Sequence, residues 1–325
     1  MTSTSATATT AVEQITLSYS DDGAALTFTA GGRQIATYTY KPTDAQYESP
    51  RPYFHPLTTL GGDEVTIFRP WDHIWHKGLS LALPNVGKDN FWGGATYTRA
   101  TGYANLDNNG AMTHEAFTAI SDSGAGITAA EELVWSSQDG TPVITEKRRF
   151  NVQLLDALSV KEPATSAWVL LFETEITNIS PDVIEIGSPT TEGRDNAGYG
   201  GLFWRGPRSF TGGQFRSAAG TGQDEFMGTR SEWISFTGQH DDNCRFSSIT
   251  FLEDGTNPGA PNQWFARSSM FACLGSAPFF SEAVPLQAGR PLTYRYAVVI
   301  SDGEVDGPSA AELAGAAKTA LAAWA

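Results

Sequence analysis

Along most of the chain, apolar and polar residues alternate in short runs broken by turn chemistry. The stretch "ITLSYSDDGAALTFTAGGRQIATYTY" holds three such runs, separated by "SDDG" and "AGG". A period of two marks a strand with one buried face, and glycine supplies the positive φ that tight connections need. A three-stranded meander is expected there. The same style recurs in "KGLSLALP", "MTHEAFTAI", "ITAAEELVW", "PVITEKRRF", "WVLLFETEITNIS" and "LTYRYAVVI". In "LLFETEITN", Phe172, Thr174 and Ile176 fall on one face and Glu173 and Glu175 on the other. Such half-polar strands belong in antiparallel sheets, because parallel strands are covered on both faces and read apolar throughout. Only "SAAELAGAAKTALAAW" reads as helix. Ser309 and Glu312 stand at capping-box spacing after Pro308, and Leu313, Leu321 and Trp324 give an apolar stripe. The expected fold is all-β, a large antiparallel β-sandwich with a C-terminal α-helix laid on one sheet. Residues 1–12, rich in Thr, Ala and Ser, read as a flexible tail, 13–306 as one β-sandwich domain, and 307–325 as the helix packed on it.

Composition narrows the function. A length of 325 residues exceeds an ordinary domain, yet all-β sandwiches reach such sizes undivided. The formal charge of −15 disfavours nucleic acid, whose backbone is held by Lys and Arg. No run of about 18 apolar residues occurs, so no ordinary transmembrane helix and no membrane partner is expected. The opening "MTSTSATATTAVEQ" lacks the basic and apolar regions of a secretory signal, and a cytoplasmic location is expected. Cys244 and Cys273 form neither a disulfide framework nor a CxxC pair, and read as two reduced, largely buried thiols. No Gly-rich phosphate loop joins a strand to a helix, so no nucleotide cofactor is expected.

The reactive residues concentrate in "RPYFHPLTTLGGDEVTIFRPWDHIWHKG", which holds His55, His73 and His76, three of five histidines. Arg51, Tyr53, Asp72, Trp75 and Lys77 stand around them. Imidazoles separated by two residues, as in His73 and His76, can converge on one ligand or one divalent metal, and a neighbouring carboxylate can fix a tautomer. His114, in "MTHEAF", could join only through folding. If a metal is present, His55, His73, His76 and His114 are its candidate ligands. Trp71, Trp75, Phe91, Trp92, Trp204, Trp233 and Trp264 mostly sit beside Gly, Pro, Asp or Arg, a mixture suited to sugars, which present C–H faces and hydroxyl edges. "TTEGRDNAGYGGLFWRGPRSF" adds Glu192, Arg194, Tyr199 and Arg205, and "NPGAPNQWFAR" adds Asn262, Trp264 and Arg267. No GxSxG elbow and no cysteine–histidine motif appears.

"RPYFHP", "DHIWHKG", "FWGG", "GAMTHEAF", "YGGLFWRGPRSF", "NPGAPNQWFAR" and "LQAGRPLTYRYAVVISDG" together resemble the PmoA-like family of uncharacterised bacterial proteins, over about residues 45–305. Relatives commonly carry a DHPHHRG-type segment. Here Ile74, Trp75 and Lys77 replace its Pro, His and Arg, which removes one imidazole from a metal set. The family's label comes from an integral membrane subunit of methane monooxygenase, whereas this chain has no spanning segment. Its strand pattern is instead similar to the galactose-mutarotase-like super-sandwich, which implies a carbohydrate ligand held on a large antiparallel sheet. The expected function is an enzyme of sugar catabolism acting on a glycoside or keto-sugar by elimination, hydrolysis or epimerisation. His73 and His76 would be its acid/base residues, Asp72 would orient one of them, and His55 and His114 would complete the pocket. A non-catalytic carbohydrate-binding protein is the alternative, followed by a metal-dependent oxygenase. A small sugar or glycoside is the expected partner, and a homo-oligomer is compatible with the sequence.

Overall fold

The computed structural model describes residues 15–155 and 166–324. The tail expected over residues 1–12 lies outside them. The meander forms as read, with strands Leu17–Asp21, Ala25–Ala30 and Arg33–Thr39 paired in sequence. They open an eight-stranded antiparallel sheet that continues through Tyr53–Leu57 and Leu79–Ala82. Late strands then complete it, in the order Gly201–Arg205, Cys273–Ala277 and Gln263–Arg267. A nine-stranded antiparallel sheet faces it, with Pro291–Asp302 and Ala167–Asn178 near its centre and Ala111–Asp122 at one edge. The fold is an all-β sandwich.

The main core lies between the sheets, where Phe28, Tyr38, Leu81, Trp204 and Trp264 meet Phe150, Trp168, Phe251 and Tyr296. Strand Ala167–Asn178 shows how the second sheet is covered. Its first half is buried on both faces: Trp168, Leu170 and Phe172 face the core, while Ala167, Val169 and Leu171 face the C-terminal helix Gly307–Ala323. Past the helix, Glu173 and Glu175 are half-buried while Thr174 and Ile176 stay buried, the alternation read from the sequence.

The helix begins earlier than its capping pattern implied. Asp306 is the N-cap and accepts from the Ser309 backbone N–H at 2.9 Å, and the Ser309 hydroxyl donates to the same carboxylate at 2.6 Å. Asp306 thus takes the capping role, its charge favoured at a helix N-terminus, and Ser309 lies inside a helix that starts at residue 307, the boundary expected for it. Leu313 and Leu321 are buried with Ala310, Ala314 and Ala317. Trp324 packs partly buried at the end, under the guanidinium groups of Arg149 and Arg295. Of the two thiols only Cys273 is buried; Cys244 is exposed, in a turn with φ of 57°. Among the described residues no helix is long and apolar enough to cross a membrane.

Candidate functional site

Strand parity sets the floor of the main cavity. In "GLFWR" and "QWFAR", Leu202, Trp204, Trp264 and Ala266 turn toward the core between the sheets. Phe203 and Phe265, one residue away, turn to the outer face with Arg205 and Arg267, since successive side chains on a strand point oppositely. Gly275 pairs with both phenylalanines across the ladder. A Cβ there would stand 3.3 Å from the Phe203 ring, so glycine keeps this part of the floor low.

Four connections rise around that floor. Two stacked turns, His73 N–H to Pro70 O at 3.0 Å and His76 N–H to His73 O at 2.9 Å, bring the two imidazoles over one another. Their rings are parallel within 15°, with centroids 4.6 Å apart. The "FWGG" turn contributes Trp92, Gly93 and Ala95. Gly93 and Gly94 have φ of 102° and 72°, and a Cβ on either would come within 2.8 Å of Trp75. Only glycine satisfies both demands, and the turn closes directly on the indole. The third connection brings Arg194, Ala197 and Tyr199, the fourth Phe271, and Tyr103 stands at the rim. Together these residues enclose about 300 Å³, with no Asp or Glu in the lining.

Charge around the histidines is ordered. Buried Arg205 donates to His76 Nδ1 at 2.9 Å and to both Asp72 oxygens at 3.0 and 3.2 Å. A guanidinium cannot accept a proton, so Nδ1 of His76 carries the lone pair and its proton sits on Nε2. Burial, with His73 and Arg205 beside it, pushes the His76 pKa well below its ordinary 6.5. His73 Nδ1 stands 3.2 Å from Asp72 Oδ2, within ion-pair range but turned out of hydrogen-bond geometry. The carboxylate favours a proton on that nitrogen and leaves the Nε2 lone pair. Burial lowers the His73 pKa and Asp72 opposes the shift. Two neutral imidazoles therefore present a donor and an acceptor. Neither Nε2 is hydrogen-bonded to a described residue.

The expected site residues divide into three groups. His73, Trp75, His76, Trp92, Arg194, Tyr199 and Arg267 line the cavity, with Asp72 and Arg205 immediately behind the histidines. A second group builds the walls without reaching the cavity. Arg51 is buried and donates to the carbonyls of Glu48, Ser49, Trp75 and Trp92, fixing the histidine turn against the FWGG turn. Lys77 is buried between Asp44 and Glu48, and Tyr53 stacks on Phe68.

The third group lies elsewhere. His55 bonds Thr66 and stacks on Phe68. His114 pairs with Glu131 at 2.7 Å on the other sheet. Asn262 binds Glu253, Trp264 sits in the core with its indole N–H on Ser231, and Glu192 belongs to a turn outside the lining. The four histidines offered as a metal set thus do not converge. Among the described residues no group of three or more His, Cys, Asp or Glu could hold a metal.

Sequence reasoning missed Phe203, Phe265, Phe271 and Tyr103. For the first two the signal was present: counting parity outward from Arg205 and Arg267 puts the phenylalanines on the arginine face and the tryptophans in the core.

A family of unknown function, DUF6807, matches residues 25–315, and the chain belongs to it. No curated protein matches its sequence. Among solved structures it is similar to the GH36 α-galactosidase AgaA from Geobacillus stearothermophilus, in complex with raffinose. The identity is 9% and the TM-score 0.36, over 89% of this chain and 41% of that one. The chain thus spans less than half of that enzyme, and a likeness at this score carries no argument about activity.

Proposed function

We propose that this DUF6807 protein holds a sugar-sized ligand in the aromatic cavity and acts on it by histidine acid/base chemistry in the cytoplasm. The observation that carries the reading is the stacked His73–His76 pair, whose free Nε2 atoms have opposite hydrogen-bonding character. Trp75, Trp92, Tyr199, Phe203 and Phe265 supply the ring faces that C–H surfaces of a pyranose pack on. The PmoA-like and mutarotase-like resemblances agree with such a substrate.

In this reading the substrate carries a carbonyl beside an acidic C–H, as a keto-sugar does. His73 Nε2 takes that proton, the C–H electron pair moves to form an enolate, and His76 Nε2–H donates to the developing oxyanion. Expulsion of a β-substituent, protonated as it leaves by the proton His73 has taken, then gives elimination. Delivery of a solvent proton to the opposite face, with His73 releasing its own to solvent, gives epimerisation. Hydrolysis by paired carboxylates fits less well, because the lining has none.

The test is to incubate the protein with 3-keto and unmodified glycosides and follow products by mass. Turnover is expected, and His73→Ala should lower it by about 10²- to 10⁴-fold with sugar binding retained by calorimetry. Binding without turnover in the parent would leave a carbohydrate-binding protein and end the catalytic reading. Absence of both would end the sugar reading.

A further inference from the structure

The chain as a whole is strongly acidic, yet its cavity is not. We infer that the ligand carries an anionic group, so that the cavity takes an acidic sugar, carboxylated or phosphorylated, in preference to a neutral one. The inference rests on the sugar reading above and adds the charge.

Its basis is the state of two arginines in the cavity wall. Arg194 is held by the Tyr103 hydroxyl and lies 4.8 Å over that ring. Arg267 lies 5.6 Å over Phe265 and 5.9 Å over Phe271, and its hydrogen bond goes to the Met270 sulfur at 3.8 Å. Among the described residues neither arginine is within ion-pair distance of a carboxylate. Asp224, which feels Arg267, is occupied by the Ser268 and Ser269 backbone N–H groups and the Ser269 hydroxyl.

A guanidinium that rests its face on a ring keeps its in-plane N–H groups free, and those groups fit the oxygens of a carboxylate or phosphate. Both arginines act on one point of the wall. Burial pushes the Tyr199 phenol well above its ordinary 10, and both Arg194 and Arg267 pull it back. Behind the histidines, Arg205 is balanced by Asp72. With His73 and His76 neutral, Arg194 and Arg267 remain as two positive charges without an ion-pair partner among the described residues, facing a cavity of about 300 Å³. Unpaired guanidinium groups over apolar rings raise the affinity of the space between them for a negative group, because the low-dielectric walls screen poorly.

Calorimetry on the full chain tests this with four probes: glucose, glucuronate, glucose 6-phosphate and benzoate. One of the two anionic sugars is expected to bind at least about tenfold tighter than glucose. Whichever anion wins tells carboxylate from phosphate. The margin should close in Arg267→Gln and in Arg194→Gln, shrink in about 0.5 M salt, and partly return in Arg267→Lys. Circular dichroism and melting of each variant check that it is folded.

If glucose binds as tightly as both anionic sugars, the anionic class is wrong and the sugar reading stands. A margin that survives in both folded glutamine variants overturns the anionic class in the same way. If benzoate binds as tightly as the tighter of the two anionic sugars, the ring hydroxyls do not matter, and the sugar reading falls together with the inference. Binding of none of the four ends both.

Discussion

Between the sheets, Glu146 accepts four hydrogen bonds, from Arg148 Nε and Nη2, from the Trp135 indole and from the Thr174 hydroxyl. Arg148 also donates to the Tyr38 hydroxyl at 2.9 Å, and Tyr38 donates across the sandwich to Glu131, whose other oxygen meets His114. On the outer face of the first sheet, Asp72, His73, His76 and Arg205 use the same residue types, but both Nε2 atoms are left over beside a cavity. Each cluster contains buried charge and a histidine near a carboxylate. The first has its carboxylate oxygens occupied by its own members and ties one sheet to the other. The second is half-satisfied, and the unmet half faces open space. Residue type and burial do not separate a structural network from a site; the unused hydrogen-bonding capacity, and where it points, does.

The comparison can be broken most decisively at Glu146. Glu146→Ala leaves Arg148 buried without its bidentate partner, and a loss of about 3–5 kcal/mol is expected in urea unfolding. A loss below about 1 kcal/mol would show that the sheet-spanning network does not hold the sandwich together.

Acid gives the next largest effect. His76 and His73 have pKa values below the ordinary 6.5, and burial lowers that of His55 to about 4. The unfolded chain therefore takes up protons below 6.5 that the folded chain does not, and stability falls as pH drops from 6.5 toward 4. His55 alone accounts for up to ~3 kcal/mol at 1.36 kcal/mol per unit. Its partial exposure and Glu64 at 3.6 Å make that an upper bound. In a His55→Gln variant the slope of stability against pH between 6.5 and 4 should be visibly shallower; an unchanged slope would assign the loss to other groups.

Asp72→Asn sharpens the outer cluster. Asp72 raises the His73 pKa against burial, so its removal should move the acid limb of any pH–rate profile to lower pH, with turnover reduced about tenfold. A fall in turnover with an unmoved limb would make Asp72 a support for Arg205 only.

The smallest effect concerns the floor. Phe265→Leu should weaken ligand binding by about 1 kcal/mol, near fivefold. Trp264→Phe, one residue away, should leave binding within twofold and show itself in the melting temperature instead. Equal effects of the two on binding would contradict the parity assignment.

Much of the fold was legible because it is local. Alternation of period two, glycine turns and a capped apolar helix follow from neighbours in the chain, and the meander and the long strands Pro142–Leu154, Ala167–Asn178 and Pro291–Asp302 appear where the pattern put them. The stacked turns that pair His73 with His76 are also local, and so the histidine segment was recognisable. What the sequence could not decide is which distant segments join it. The first sheet passes from Leu79–Ala82 directly to Gly201–Arg205, then to Cys273–Ala277 and Gln263–Arg267. Those non-local pairings alone bring Arg194, Tyr199, Phe265, Arg267 and Phe271 to the histidines. The same pairings turn Trp204 and Trp264 inward, because strand register assigns a face to each residue only once the partners are chosen. His114 is held on the other sheet by the pairing of its strand with Ile127–Ser136. The chain itself specified strands, turns, the helix and one reactive wall. The cavity, its positive charge and the proton position on His76 arose only when strands more than a hundred residues apart were set side by side, whereas the proton on His73 follows from its neighbour Asp72.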